Sequence, residues 1–135
     1  MLSATFRHQW EDITTKSARS MLAFSVYLFP LGGILIVAPN TLLGVFGLPG
    51  TSEVWIRVVG MLVLVLGFYY SQAARREVTE FFRLSVVGRS AVLLFFIAFV
   101  IAGFAPPVLI LFGVIDFLAA MWTAFALKSE TAVSQ

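Results

Sequence analysis

One acidic residue stands out by its surroundings. Asp116 lies about nine residues into the apolar run Val108–Leu127 (VLILFGVIDFLAAMWTAFAL). In a helix rising 1.5 Å per residue, that places it about 13 Å from the end of the run and close to its middle. An acid at such depth in a membrane costs at least about 2.5–3.5 kcal/mol, so it must face other helices and be paired or protonated. Gly113, Asp116, Ala120 and Ala124 recur on one helical face, with Thr123 adjacent, and small residues of this kind mark close helix contact. Two roles fit: an acid that carries a proton or holds a ligand, and a structural acid bonded to a neighbouring helix.

Two arginines share the apolar setting. Arg57 lies a few residues inside a second run and shares a face with Gly60, Leu64, Gly67, Ser71 and Ala74. It either snorkels to the outer interface or reaches inward toward Asp116, across an axial offset of about 9 Å. Arg89 is placed about one turn inside the opposite boundary, where snorkelling is again the ordinary role. Tyr27, Tyr69, Tyr70, Ser90, Trp122 and Thr123 fall at a similar depth. Some of these are interfacial aromatics, which suit that boundary. If three or more turn inward, they form a polar pocket with Arg89. The candidate ligand-binding set is therefore Asp116, Arg57, Arg89, Tyr27, Tyr69, Tyr70 and Thr123.

Other chemistries lack their residues. The chain has no cysteine and one histidine, His8, so thiolate sites, Fe–S clusters, a Cys nucleophile and an intramembrane His pair are excluded. There is no phosphate-binding G-x-x-x-x-G-K-[ST] loop and no G-x-G-x-x-G turn, and a Ser-His-Asp arrangement within the membrane is impossible. We expect no catalytic residue, no metal and no cofactor.

The elements that position these residues follow from composition. Hydrophobic residues make up 60% of the 135 and charged residues 12%. A soluble domain is about a quarter charged, so a soluble globular enzyme and a disordered chain are both excluded. Four runs are long enough, at about 20 residues, to cross a hydrocarbon core: residues 20–38, 54–74, 84–104 and 108–127. No strictly alternating strands of a barrel occur. The expected fold is all-α, a transmembrane four-helix bundle forming one domain over residues 1–135.

Pro39-Asn40 ends the first helix, and Ala105-Pro106-Pro107 joins the third and fourth as an antiparallel hairpin. Leu42, Leu43, Val45, Phe46 and Leu48, too few to span, predict a short interfacial or re-entrant cap. Eight of the nine Lys and Arg residues lie before the first run, around the second connector (Arg89 included) or after the fourth run. The positive-inside rule then sets both termini in the cytoplasm, in an inner (cytoplasmic) membrane. The net charge of +2 reflects this topology and not nucleic-acid binding. Residues 1–19 lack the pattern of a secretory signal. Phe6, Trp10 and Ile13 there predict a short amphipathic interfacial helix.

Pro39-Asn40, then LLGVFGLPG, then WIRVVGMLVLVLGFYYSQAAR with its early Arg57 and late tyrosines resemble the small four-helix membrane proteins called DoxX-like. The likeness covers about Met21 to Leu127. It implies the architecture and, in some members, quinone or thiol redox chemistry in larger membrane complexes. This chain departs from the redox reading, having no cysteine and no intramembrane histidine. Three functions remain open: a non-enzymatic membrane subunit or scaffold, in a homo-oligomer or larger complex; an intramembrane site for a lipid, quinone or other small hydrophobic ligand centred on Asp116; and a small oligomeric proton-coupled transporter. Membrane lipids are partners in all three.

Overall fold

The computed structural model describes residues 15–134; the amphipathic helix expected on Phe6, Trp10 and Ile13 lies outside them. Five helices follow in order: α1 (Lys16–Val37), α2 (Pro39–Val45), α3 (Trp55–Arg75), α4 (Thr79–Ile101) and α5 (Leu109–Ser134). All but α2 are long and apolar enough to cross a membrane. The fold is thus the all-α class with four membrane-length helices, and the chain is a multi-pass membrane protein.

The helix starts differ from the apolar edges. α1 begins at Lys16 and not Ser20, because Thr15 caps it: its Oγ1 accepts the Ala18 N–H at 3.3 Å. α4 begins at Thr79 and not Leu84, with Glu80 in its first turn, where a carboxylate complements the helix dipole. α5 continues past Leu127 to Ser134. Hydropathy marks where apolar side chains start, whereas caps and dipoles decide where helices start.

The chain divides into two compact units. One spans residues 23–70. Within it, α1 and α3 touch backbone to backbone. A Cβ on Gly32 would stand 2.8 Å from the Gly60 carbonyl oxygen, and one on Gly60 would stand 2.8 Å from the Gly32 oxygen and from Leu35 Cβ. Gly67 meets Leu28 Cβ at 3.3 Å by the same measure. The face expected from Gly60, Leu64 and Gly67 is therefore the packing seam of α3. The apolar connector forms α2, whose end is closed by Leu48 N–H donating to the Leu43 carbonyl at 2.8 Å across Gly47 in the left-handed region.

The other unit contains the first turns of α1 to Leu22, the last turn of α3 from Ser71, and α4 with α5. α4 ends through Gly103, in the left-handed region, with Phe104 N–H donating to the Phe99 carbonyl at 2.9 Å. The seven-residue connector that follows makes α4 and α5 an antiparallel hairpin. They approach closely at Gly113, where a Cβ would lie 3.1 Å from Leu93 Cα. Phe82 and Met21 are fully buried here, while Leu94, Phe95, Leu118 and Phe125 point outward, as bilayer-facing residues do.

Candidate functional site

The inward face of α5 runs through Gly113, Asp116, Ala120, Thr123, Leu127 and Glu130, at alternating steps of three and four. This is the stripe that an α-helix turns toward its neighbours. Its three polar members, Asp116, Thr123 and Glu130, are seven residues apart. Ser17, Ser20 and Met21 of α1 and Ser85 and Arg89 of α4 complete a polar seam within this unit.

Arg89 is the hub. Because α4 starts at Thr79, Arg89 is the eleventh of its 23 residues and stands at mid-helix. It is also the sixth residue of the apolar run that opens at Leu84, about one turn inside it. The side chain does not snorkel: the residue is 2% exposed. Nε donates to the Ser85 carbonyl at 3.3 Å. Nη2 donates to Ser85 Oγ at 3.1 Å and to Thr123 Oγ1 at 2.9 Å, with Met21 Sδ at 3.5 Å. A buried guanidinium costs several kcal/mol of lost hydration, and hydrogen bonds to a charged group, worth about 1.5–3 kcal/mol each, offset it.

The bonds continue beyond Arg89. Thr123 Oγ1 and Ser20 Oγ are 2.7 Å apart, and either can donate to the other. Each also has a carbonyl acceptor in its own helix, Ser20 Oγ the Ser17 carbonyl at 2.7 Å and Thr123 Oγ1 the Ala119 carbonyl at 3.3 Å. Hydrogen bonds joined in this way polarise one another. Beyond Ser17 the acceptor is Glu130: Ser17 N–H donates to Oε1 at 2.9 Å and Ser17 Oγ to Oε2 at 2.7 Å. The seam thus has a cation at one end and a carboxylate at the other.

A second carboxylate holds the same helix end. Thr15 N–H and Oγ1 donate to Glu77 Oε1 at 3.2 and 3.1 Å. Glu77 sits at φ 51°, a position that favours glycine. It closes α3, with Val78 N–H reaching the Ala73 carbonyl at 3.0 Å. Two acids from different elements therefore take donors at the first turn of α1, where a negative charge also suits the dipole.

Asp116 stands apart from this network. It is half-buried, and its charge interacts with that of Arg89. Asp116 makes no direct ion pair among the described residues, so it and Arg89 interact at longer range; Arg83 and Glu80 form a surface pair at 3.6 Å. No hydrogen bond to the Asp116 carboxylate is made among the described residues.

The other expected residues separate. Thr123 is fully buried on Arg89. Ser90 bonds within its own helix, to the Val86 carbonyl at 2.7 Å. Tyr69 and Trp122 face outward, at 55% and 52% exposed. In residues 23–70, Tyr70 is buried with its ring 5.5 Å from that of Phe24, and half-buried Tyr27 packs on Phe24 at 5.6 Å. Arg57 is exposed and donates through Nη1 to the Ile36 carbonyl, near the end of α1. Sequence reasoning missed Ser17, Ser20, Met21, Glu77, Ser85 and Glu130. The signal was available: Thr123 and Glu130 repeat Asp116 at seven-residue steps, and Ser85 precedes Arg89 by four. No protein family model, curated protein or solved structure matches the chain.

Proposed function

We propose that this chain is a non-enzymatic subunit or scaffold of the inner membrane, with both termini in the cytoplasm. The carrying observation is that Arg89, the charged group at mid-helix, is spent on joining helices: it is buried and bonded to Ser85 and Thr123. A polar seam of this kind sets helix register from within and leaves the outer faces apolar. Those faces are what lipid and other membrane helices meet. The DoxX-like likeness supports the same architecture and is carried no further.

The seam lends less support to a proton-coupled carrier. The Ser20 and Thr123 hydroxyls both have backbone carbonyls as acceptors, and a backbone carbonyl does not hand a proton on. The test is native mass spectrometry after gentle extraction, combined with crosslinking in membranes. The expected result is a homo-oligomer or a copurifying membrane partner. A lone monomer in both measurements would overturn the reading.

A further inference from the structure

The charged end of the unit that holds the seam carries an inference independent of the scaffold reading. We infer that Lys16, Arg75, Arg76 and Lys128 form one site for the phosphate head of an anionic phospholipid. Three helix ends meet there: Thr15 bonds Glu77 at 3.1 Å and Ser17 bonds Glu130 at 2.7 Å. Lys16 stands between those two contacts. Arg75 and Arg76 directly precede Glu77, and Lys128 is two residues before Glu130. All four cations are exposed, and none of them makes an ion pair among the described residues.

The acids of this end are spent elsewhere. Glu77 and Glu130 take donors from the first turn of α1, and Glu80 pairs with Arg83. Positive charge is therefore in surplus around the clamp. Cations held close together repel one another, and Lys16 in the first turn of α1 is also opposed by the helix dipole. An anion that touches several of them relieves both costs. Phosphate suits this set, because Arg presents a planar fork to its oxygens and Lys a point charge.

Depth selects lipid as its source. Arg75 and Arg76 close the membrane-length helix α3, and Lys128 directly follows the apolar run that ends at Leu127. Basic residues at that height lie in the headgroup layer, where lipid phosphates are the nearest anions. Within two turns of Lys128, Phe125 and Trp122 are exposed on α5. They offer an apolar surface to the acyl chains of a lipid whose head is held at Lys128.

The experiment uses the full chain, stripped of lipid in a neutral detergent. It is given equal amounts of phosphatidylglycerol and phosphatidylcholine with the same acyl chains. Native mass spectrometry counts the lipids retained. The expected result is one phosphatidylglycerol per chain that saturates first, preferred at least about 25-fold, the factor for two basic residues acting on one head. Lys16→Gln, Arg76→Gln and Lys128→Gln should each weaken it about fivefold and leave phosphatidylcholine unchanged. Equal retention of the two lipids by the wild type overturns the inference, and that comparison needs no variant to fold. A graded series of phosphatidylglycerol adducts with no preferred first lipid overturns it as well, since diffuse attraction gives that pattern. So does undiminished binding by a folded triple variant. Displacement of the first lipid by glycerol phosphate or polyglutamate would assign the patch to a soluble anion instead. The number of chains in the same ions tests the scaffold reading separately.

Discussion

Thr123 accepts from a cation and shares a hydrogen bond with a second hydroxyl within one buried site, so its replacements are informative. Thr123→Val keeps the shape and removes these two bonds together with the one to the Ala119 carbonyl. It leaves Arg89 with a buried donor unmet, a loss of about 1–3 kcal/mol. Thr123→Ser keeps the hydroxyl and should cost under about 1 kcal/mol. Ser90→Ala is the control, since Ser90 bonds only its own helix backbone at 2.7 Å, and it should be near neutral. Unfolding in mixed micelles, followed by circular dichroism, ranks the three. Arg89→Met should partly rescue Thr123→Val, because an apolar residue removes the charge that needed the bond. Strictly additive costs in the double variant would show that the two side chains do not act together. Average intramembrane hydrogen bonds are worth only about 0.6 kcal/mol, so a Thr123→Val loss above about 1 kcal/mol would mark this bond as charge-assisted.

Helix ends and helix crossings carry the next level of the argument. Gly60 stands against Gly32 with no room for a Cβ, whereas a Cβ on Gly33 meets nothing within 4 Å. Gly60→Ala should therefore cost about 1–3 kcal/mol from overpacking. Gly33→Ala should be neutral or stabilising by up to about 1 kcal/mol through helix propensity. The same unfolding assay separates them, and equal effects would contradict the backbone contact. Glu77 poses a sharper question, because its φ of 51° favours glycine while its carboxylate holds Thr15. Glu77→Gly relieves the backbone but frees the first turn of α1. Amide exchange at the start of α1 should rise in Glu77→Gly and in Glu130→Gln, whatever the change in global stability. Unchanged exchange in both would remove the two-carboxylate clamp. These ends also show what could be read from residue types. The four spans were legible because about 20 apolar residues have few other uses, and Gly60 and Gly67 were legible as a packing face. The start of α4 was not, because an apolar window begins at Leu84 while Thr79 and Glu80 already satisfy a helix start. The apolar run alone left Arg89 near its edge, where snorkelling is the ordinary role, and did not report its burial against α1 and α5. Ser17 and Glu130 were illegible for another reason: their partnership spans 113 positions, and no local pattern reports it.

For the whole molecule, charge distribution makes the strongest claim, and the sequence offers a clean way to check it. Eight of nine Lys and Arg residues fall at one side of the four apolar runs, and the seam lies in the unit that contains Ser17 and Glu130. By the positive-inside rule, that side is expected to face the cytoplasm. The chain contains no cysteine, so one introduced thiol reports alone. A cysteine replacing Ser52, in the exposed connector between α2 and α3, should react with a membrane-impermeant maleimide in intact spheroplasts. A cysteine replacing Thr79, exposed at the start of α4, should react only after permeabilisation. The reverse pattern would invert the topology and place Ser17 and Glu130 outside. The topology also constrains the seam. Arg89 lies well inside α4, far from both helix ends, so during insertion it must enter hydrocarbon before α1 and α5 are in place to receive it. Arg89→Met should then insert at least as efficiently as the wild type, because an arginine at the middle of a helix costs about 2.5–3.5 kcal/mol on insertion scales. What the variant should lose is the defined register of α1 on α5. A crosslink between cysteines at Ser20 and Thr123, whose hydroxyls are 2.7 Å apart in the native chain, reads that register directly. The crosslink yield should fall in Arg89→Met while the amount of inserted protein does not. Parallel loss of both would make Arg89 a requirement for insertion itself and not for the fit of helices already in the membrane.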